Sequence, residues 1–153
     1  MPDVLFDRAA LADLAARFAT PLYVYSRPRL EANYRRVSGA FAPLGAHVRY
    51  SVKANSNGAI LRLLQRLGSG FDVVSGGELY RSLKAGADPA SIVFAGVGKT
   101  DAEMQFAVET RVGWINAESR EELEAIDAIA ARAAPARPRV ALRLNPAVEA
   151  DTH

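Results

Sequence analysis

Five short runs rich in β-branched and aromatic residues begin near Val48, Phe71, Ile92, Gly113 and Arg139, at intervals of 23, 21, 21 and 26 residues, and each of the four gaps holds a helical pattern. Capping-box sequences open three of the helices, at Ser75-Gly-Gly-Glu78, Thr100-Asp-Ala-Glu103 and Ser119-Arg-Glu-Glu122. A Ser or Thr followed three residues later by Glu satisfies amides that the first helical turn leaves without partners. Gly68 and Gly86 follow two of the helices, and Pro135 and Pro138 break the last. Strand and helix alternating in units of roughly 20 to 25 residues predict a parallel sheet with helical crossovers, either an open doubly wound sheet or a barrel.

The polarity of the strand faces favours the barrel. Over residues 48–53, Val48, Tyr50 and Val52 form one face while Arg49, Ser51 and Lys53 share the other; in the last run Val140, Leu142 and Leu144 alternate with Ala141, Arg143 and Asn145. Strands of an open parallel sheet lie under helices on both sides and read as apolar throughout. An inner face that turns polar toward the C-terminal strand ends suits a barrel lumen with a site at that rim. A complete (β/α)8 barrel takes about 250 residues. A chain of 153 residues with five strand runs is therefore predicted to hold the first half of one. Ahead of it, residues 4–19 read as an amphipathic helix stopped before Thr20-Pro21, "PLYVYS" as a strand, and Arg29 to Phe41 as a second helix ended by the Pro43–Gly45 turn. The expected division is an N-terminal helix and strand, 1–25, and the half-barrel, 26–153.

Half of the residues are hydrophobic, enough for a substantial core, and the formal charge of +2 comes without any basic block, which argues against nucleic acid as a partner. The absence of cysteine removes disulfides and thiolate metal sites and points to a reducing compartment, the cytoplasm. Asp3, Asp7 and Asp13 interrupt the N-terminal apolar residues, so neither a signal-peptide core nor a membrane span is expected. His47 and His153 are the only histidines and show no paired-ligand spacing, so no metal site is expected. "GVGKT" imitates the end of a phosphate-binding loop, but the glycine such a loop needs five residues before Gly98 is replaced by Val93, which argues against nucleotide hydrolysis. Trp114 and the tyrosines are expected to pack in the core or at an interface.

Lys53 is one of three lysines against sixteen arginines. It reads either as a strand-end lysine reaching to solvent or as a Schiff-base lysine, since a neutral amine held in a buried site attacks carbonyl groups. Asp72 at the next strand end reads as the start of a turn or as a site carboxylate, and Arg143 as a solvated charge or as a lumen guanidinium that fixes an anionic group by paired donors.

The segment "YSVKAN" around Lys53 closely resembles the lysine motif of the fold-type III pyridoxal-phosphate enzymes. "GSGFDVVSGGEL" at 68–79, "FAGVGKT" at 94–100, "INAES" at 115–119 and "ALRLNP" at 141–146 are similar, in the same order, to consecutive strand-end segments of the diaminopimelate decarboxylase family. The likeness covers nearly the whole chain from Thr20 onward; Ser51 stands where the family often has alanine. It implies an alanine-racemase-like barrel holding pyridoxal 5'-phosphate, with "TPLYVYS" supplying a strand to a second, C-terminal β-domain. It further implies that Lys53 anchors the cofactor covalently while Asp72 and Arg143 stand near it. Glu78 has a family counterpart close to the lysine, although its capping box accounts for it without catalysis, and Asn55 and Asn57 follow the lysine as caps of the next helix or a brace for it. The family's strand-six histidine, phosphate loop, pyridine-nitrogen partner and C-terminal substrate residues have no counterparts in the 153 residues. The implied activity is decarboxylation of meso-2,6-diaminopimelate to L-lysine and carbon dioxide, completed by a C-terminal portion or complementary chain, with a homodimer of complete protomers as the working form. The alternatives are another decarboxylase of this fold acting on arginine, ornithine or carboxynorspermidine, a racemase on the same barrel, or a non-catalytic half-barrel that pairs its open edges with a partner.

Overall fold

The computed structural model describes residues 7–133, 137–144 and 146. The expected helix start at residues 4–6, the break at Pro135, the inward-facing Asn145 and His153 lie outside them. Two compact units divide the chain, Met1–Ala46 and His47–His153.

The first unit holds helices α1 (Arg8–Phe18) and α2 (Arg27–Phe41). Asp7 caps α1 by accepting from the Ala9 amide at 3.2 Å. α2 begins two residues earlier than the sequence reading because Ser26 is its cap and Pro28, in its first turn, has no amide hydrogen to leave unpaired. Residues 22–26 take no strand conformation. A strand exists only by pairing, and the partner expected for this segment belongs to a β-domain that the described residues do not include.

The second unit is a five-stranded parallel sheet of β1 (Arg49–Ser51), β2 (Gly70–Val73), β3 (Ile92–Phe94), β4 (Trp114–Ala117) and β5 (Val140–Leu142), in the spatial order β1-β2-β3-β4-β5. The crossover helices are α3 (Gly58–Arg66), α4 (Gly76–Lys84), α5 (Asp101–Thr110) and α6 (Arg120–Arg132). Unbroken sequential order is the decisive observation on architecture. A doubly wound sheet reverses direction at a switch point, whereas one-directional winding with right-handed crossovers places every helix on the same side, as in a barrel wall.

Register confirms which face is which. Val73, Phe94, Ile115 and Val140 pair in one row across β2 to β5. The first three, with Phe71 and Ile92 on the same face, are fully buried and form one layer of the core with Leu61, Leu79 and Ile126 from the helices. The opposite face carries the row Ser51, Asp72, Val93, Trp114, and beyond it Asn116 beside Ala141. Trp114 is thus an inner-face residue, 37% exposed, with the Arg139 guanidinium 5.1 Å from its ring centroid, and it is no part of the core.

Candidate functional site

In a parallel sheet wound this way the loops that follow the strands share one rim, and the candidate residues lie on it. β1 is shorter than the 48–53 run suggested. It stops at Ser51, and Val52–Ala54 form a single 3-10 turn that carries Lys53. Val52 is fully buried and pins the turn, which contacts β2 and α4, while Lys53 itself is exposed. The sequence placed Lys53 in an enclosed interior; five strands do not close a lumen, so the side chain stands on an open rim. Among the described residues it makes no hydrogen bond or ion pair.

Beside that turn, the Ser51 hydroxyl donates to Asp72 Oδ2 at 3.2 Å, joining the ends of β1 and β2. Asn55 and Asn57 build the exit of the turn. Asn55 Oδ1 accepts from the Asn57 amide at 2.9 Å, and Asn57 Oδ1 caps α3 through the Ala59 amide at 2.9 Å. The Tyr50 hydroxyl donates to the Asn55 carbonyl at 3.3 Å. Glu78 turns to the backbone: Oε2 accepts from the Val74 amide at 2.8 Å, one residue outside the position that a reciprocal capping box would use. Arg143 follows β5 directly. Its amide donates to the Ala117 carbonyl, and its Nη1 lies 3.2 Å from Glu118 Oε2. Adjacent strands lie about 4.8 Å apart, so the four intervals from β1 to β5 span about 19 Å along the sheet. The structure therefore joins Ser51 and Asp72 beside the Lys53 turn and holds Arg143 at the other sheet edge.

Sequence reasoning missed how the rim loops are tied to one another. Glu103 Oε2 accepts from the Thr100 amide at 3.0 Å within its own capping box, while Oε1 accepts from the Gly76 amide at 2.7 Å, at the first residue of α4. A Cβ on Gly76 would lie 3.0 Å from Glu103 Cγ, so glycine is what lets this carboxylate approach. Glu122 Oε2 accepts from the Glu118 amide at 2.9 Å and from Lys99 Nζ at 3.0 Å, tying the loop after β4 to the loop after β3. Lys99 also donates to the Gly96 carbonyl at 2.7 Å, so the lysine of "GVGKT" is spent inside its own loop. The capping-box spacing was the available signal; it located the carboxylates but not their second partners.

These bonds set a pH dependence. The amides of Gly76 and Thr100 hold the Glu103 carboxyl below its ordinary value of 4.5. Burial pushes Glu122 upward, but the Glu118 amide and the Lys99 ammonium outweigh it and its net direction is also down. A carboxyl with a lowered folded pKa adds stability that is complete above the unfolded value and is lost as pH falls through the folded one. Thermal unfolding of the protein should therefore show a Tm that falls as pH drops below about 4.5. Glu103→Gln should flatten that fall, and an unchanged acid profile in the variant would contradict the assignment.

A family model described as the pyridoxal-dependent decarboxylase pyridoxal binding domain matches residues 27–153. The chain is 50% identical over 151 residues to a diaminopimelate decarboxylase of Pseudomonas aeruginosa, covering 99% of this chain and 36% of that protein. It is 46% identical over 147 residues to that of Vibrio cholerae, covering 96% and 35%. A crystal structure of diaminopimelate decarboxylase from M. jannaschii in complex with L-lysine superposes with a TM-score of 0.86 at 40% identity, covering 91% of this chain and 33% of that one. The chain spans about a third of the length of the relatives it matches.

Proposed function

The chain belongs to the pyridoxal-dependent decarboxylases, as part of their pyridoxal-binding domain, and from that premise we propose that it is the N-terminal portion of an enzyme that decarboxylates meso-2,6-diaminopimelate to L-lysine and carbon dioxide. The carrying observation is the placement of Lys53: an exposed primary amine on the turn after β1, with the Ser51–Asp72 pair at the neighbouring strand ends.

These residues fit pyridoxal phosphate as its anchor. A primary amine with no salt bridge among the described residues would hold the group through its aldehyde carbon, the carbonyl oxygen leaving as water, and a carboxylate at the adjacent strand end would favour cationic groups beside it. When bound, the cofactor's ring system accepts the electron pair left behind as the substrate carboxylate departs. Lys53 holds the group in place. Ser51 fixes Asp72 through Oδ2, so that the carboxylate would stand as a held negative charge at the strand end beside the anchor. Arg143, ion-paired through Nη1 with Glu118, would place a positive charge on the rim that suits an anionic or ring-oxygen group. Glu78 and Asn55 keep the loops flanking the anchor in shape through Val74 and Asn57.

In this reading residues 26–153 form the N-terminal half of the (β/α)8 barrel. The remaining barrel units and a C-terminal β-domain complete each protomer, and complete protomers act as homodimers in the cytoplasm. The substrate class rests on the relatives' names and on the lysine complex of the M. jannaschii structure. Carbon dioxide release by the complete protein, measured with diaminopimelate, arginine and ornithine in parallel, tests it. Turnover confined to diaminopimelate is expected; turnover of arginine or ornithine instead would replace the substrate, and no turnover of any with cofactor bound would remove the reaction.

A further inference from the structure

Lys99 has 1% of its side chain exposed and takes no part in the reaction proposed above. A buried ammonium is costly unless it is paired and fully hydrogen-bonded, so its place calls for a reason that an apolar residue could not meet. Its two bonds supply one. Nζ reaches the Gly96 carbonyl at 2.7 Å and Glu122 Oε2 at 3.0 Å, and the same Oε2 receives the Glu118 amide at 2.9 Å. Glu118 then presents its carboxylate to Arg143, with Oε2 3.2 Å from Nη1. In that last pair the Glu118 side chain is 9% exposed and Arg143 56%, so the carboxylate is the held partner and the guanidinium the one it orients.

We infer that Lys99 is a positioning residue for Arg143: through Glu122 it fixes the Glu118 loop, and through the Glu118 carboxylate it sets the guanidinium on the rim. Without the ammonium, the Glu122 carboxylate loses its buried counter-charge and moves toward water, releasing the Glu118 amide with it. The inference rests on the proposed function for the claim that Arg143 faces the cofactor, and on the geometry alone for the claim that Lys99 places Arg143.

The test uses the complete protein in two measurements. Ligand-free crystal structures of the wild type, Lys99→Met and Lys99→Arg report the Arg143–Glu118 pair directly. Absorbance titration with pyridoxal 5'-phosphate gives Kd for the same proteins, for Glu118→Gln and for the double variant Lys99→Met/Glu118→Gln. Lys99→Met should open the pair and raise Kd about 10-fold, the scale of losing a group one layer behind a binding residue. Lys99→Arg should keep both near wild type, and the double variant should bind no more weakly than Glu118→Gln alone. If Lys99→Met fails to fold, Lys99→Gln, which keeps a donor for Gly96 but no charge for Glu122, is read in its place with the same expectation. A folded variant with the pair intact and Kd unchanged, or losses that add in the double variant, would overturn the inference. A wild type that binds no cofactor would sink the proposed function, while the ligand-free structures would still decide whether Lys99 places Arg143.

Discussion

Lys53→Ala in the complete protein is expected to lose covalently held pyridoxal phosphate and to lower the decarboxylation rate by on the order of 10^4-fold, since removing a covalent catalytic group leaves only what binding and the remaining site residues supply. The expectation comes from position as much as from residue type. Of the three lysines, Lys99 is buried in its ion pair with Glu122, and Lys84 lies on helix α4, Nζ 5.4 Å from the Tyr80 ring centroid. Of the two lysines on rim loops only Lys53 is exposed, on the turn after β1, with Val52 rooting that turn in the core. The substitution removes an exposed side chain that makes no ion pair among the described residues, so stability should barely change. Lys84→Ala is the control. It should leave cofactor content and rate unaltered, and equal losses in the two variants would mean that the anchor has been misassigned.

Gly113→Ala is expected to destabilise the fold by about 3 kcal/mol or more, because the new methyl meets backbone that no rotamer change can move aside. A Cβ there would fall on the Ala90 carbonyl oxygen and lie 2.9 Å from that of Ile92. Gly113 also donates its amide to the Pro89 carbonyl at 2.9 Å, so the chain cannot back away without breaking the bond that starts β4 beside β3. Against a total stability of about 5–15 kcal/mol, a loss of this size threatens folding at physiological temperature. Gly39→Ala makes the same chemical change inside helix α2, where a Cβ meets nothing within 4 Å, and should stabilise by about 0.5–1 kcal/mol. Denaturant unfolding of the two variants should give shifts of opposite sign. A Gly113→Ala protein as stable as wild type would show that the β3–β4 junction is looser than drawn here.

The winding of the sheet was legible because a repeat of strand and helix leaves few topologies, and the polar inner face of the runs that became β1 and β5 then separated barrel from doubly wound sheet. Ser51 and Asp72 stand 21 residues apart, two short of the 23 between the first two runs, so the repeat brought them to neighbouring strand ends while their exact register came from the paired strands. The end of β1 was not legible. The alternation of Tyr50, Ser51, Val52 and Lys53 continues past the last paired residue, and nothing in it marks where the chain leaves the strand for the 3-10 turn that buries Val52. Nor was the second use of the rim carboxylates. Capping spacing is local and found Glu78, Glu103 and Glu122, but Gly76 at the start of α4 reaches Glu103 and Lys99 in the loop after β3 reaches Glu122 from 27 and 23 residues away. Arg143 shows the same limit: its face was readable from alternation, its partner Glu118 was not, because the partner comes from the adjacent strand's loop.

Borohydride reduction of the complete protein with its cofactor, followed by digestion and mass spectrometry, tests the role of the β1 turn most directly. A phosphopyridoxyl group is expected on the peptide containing Lys53 and on no other. The same group on the Lys84 or Lys99 peptide, with Lys53 unmodified, would contradict it.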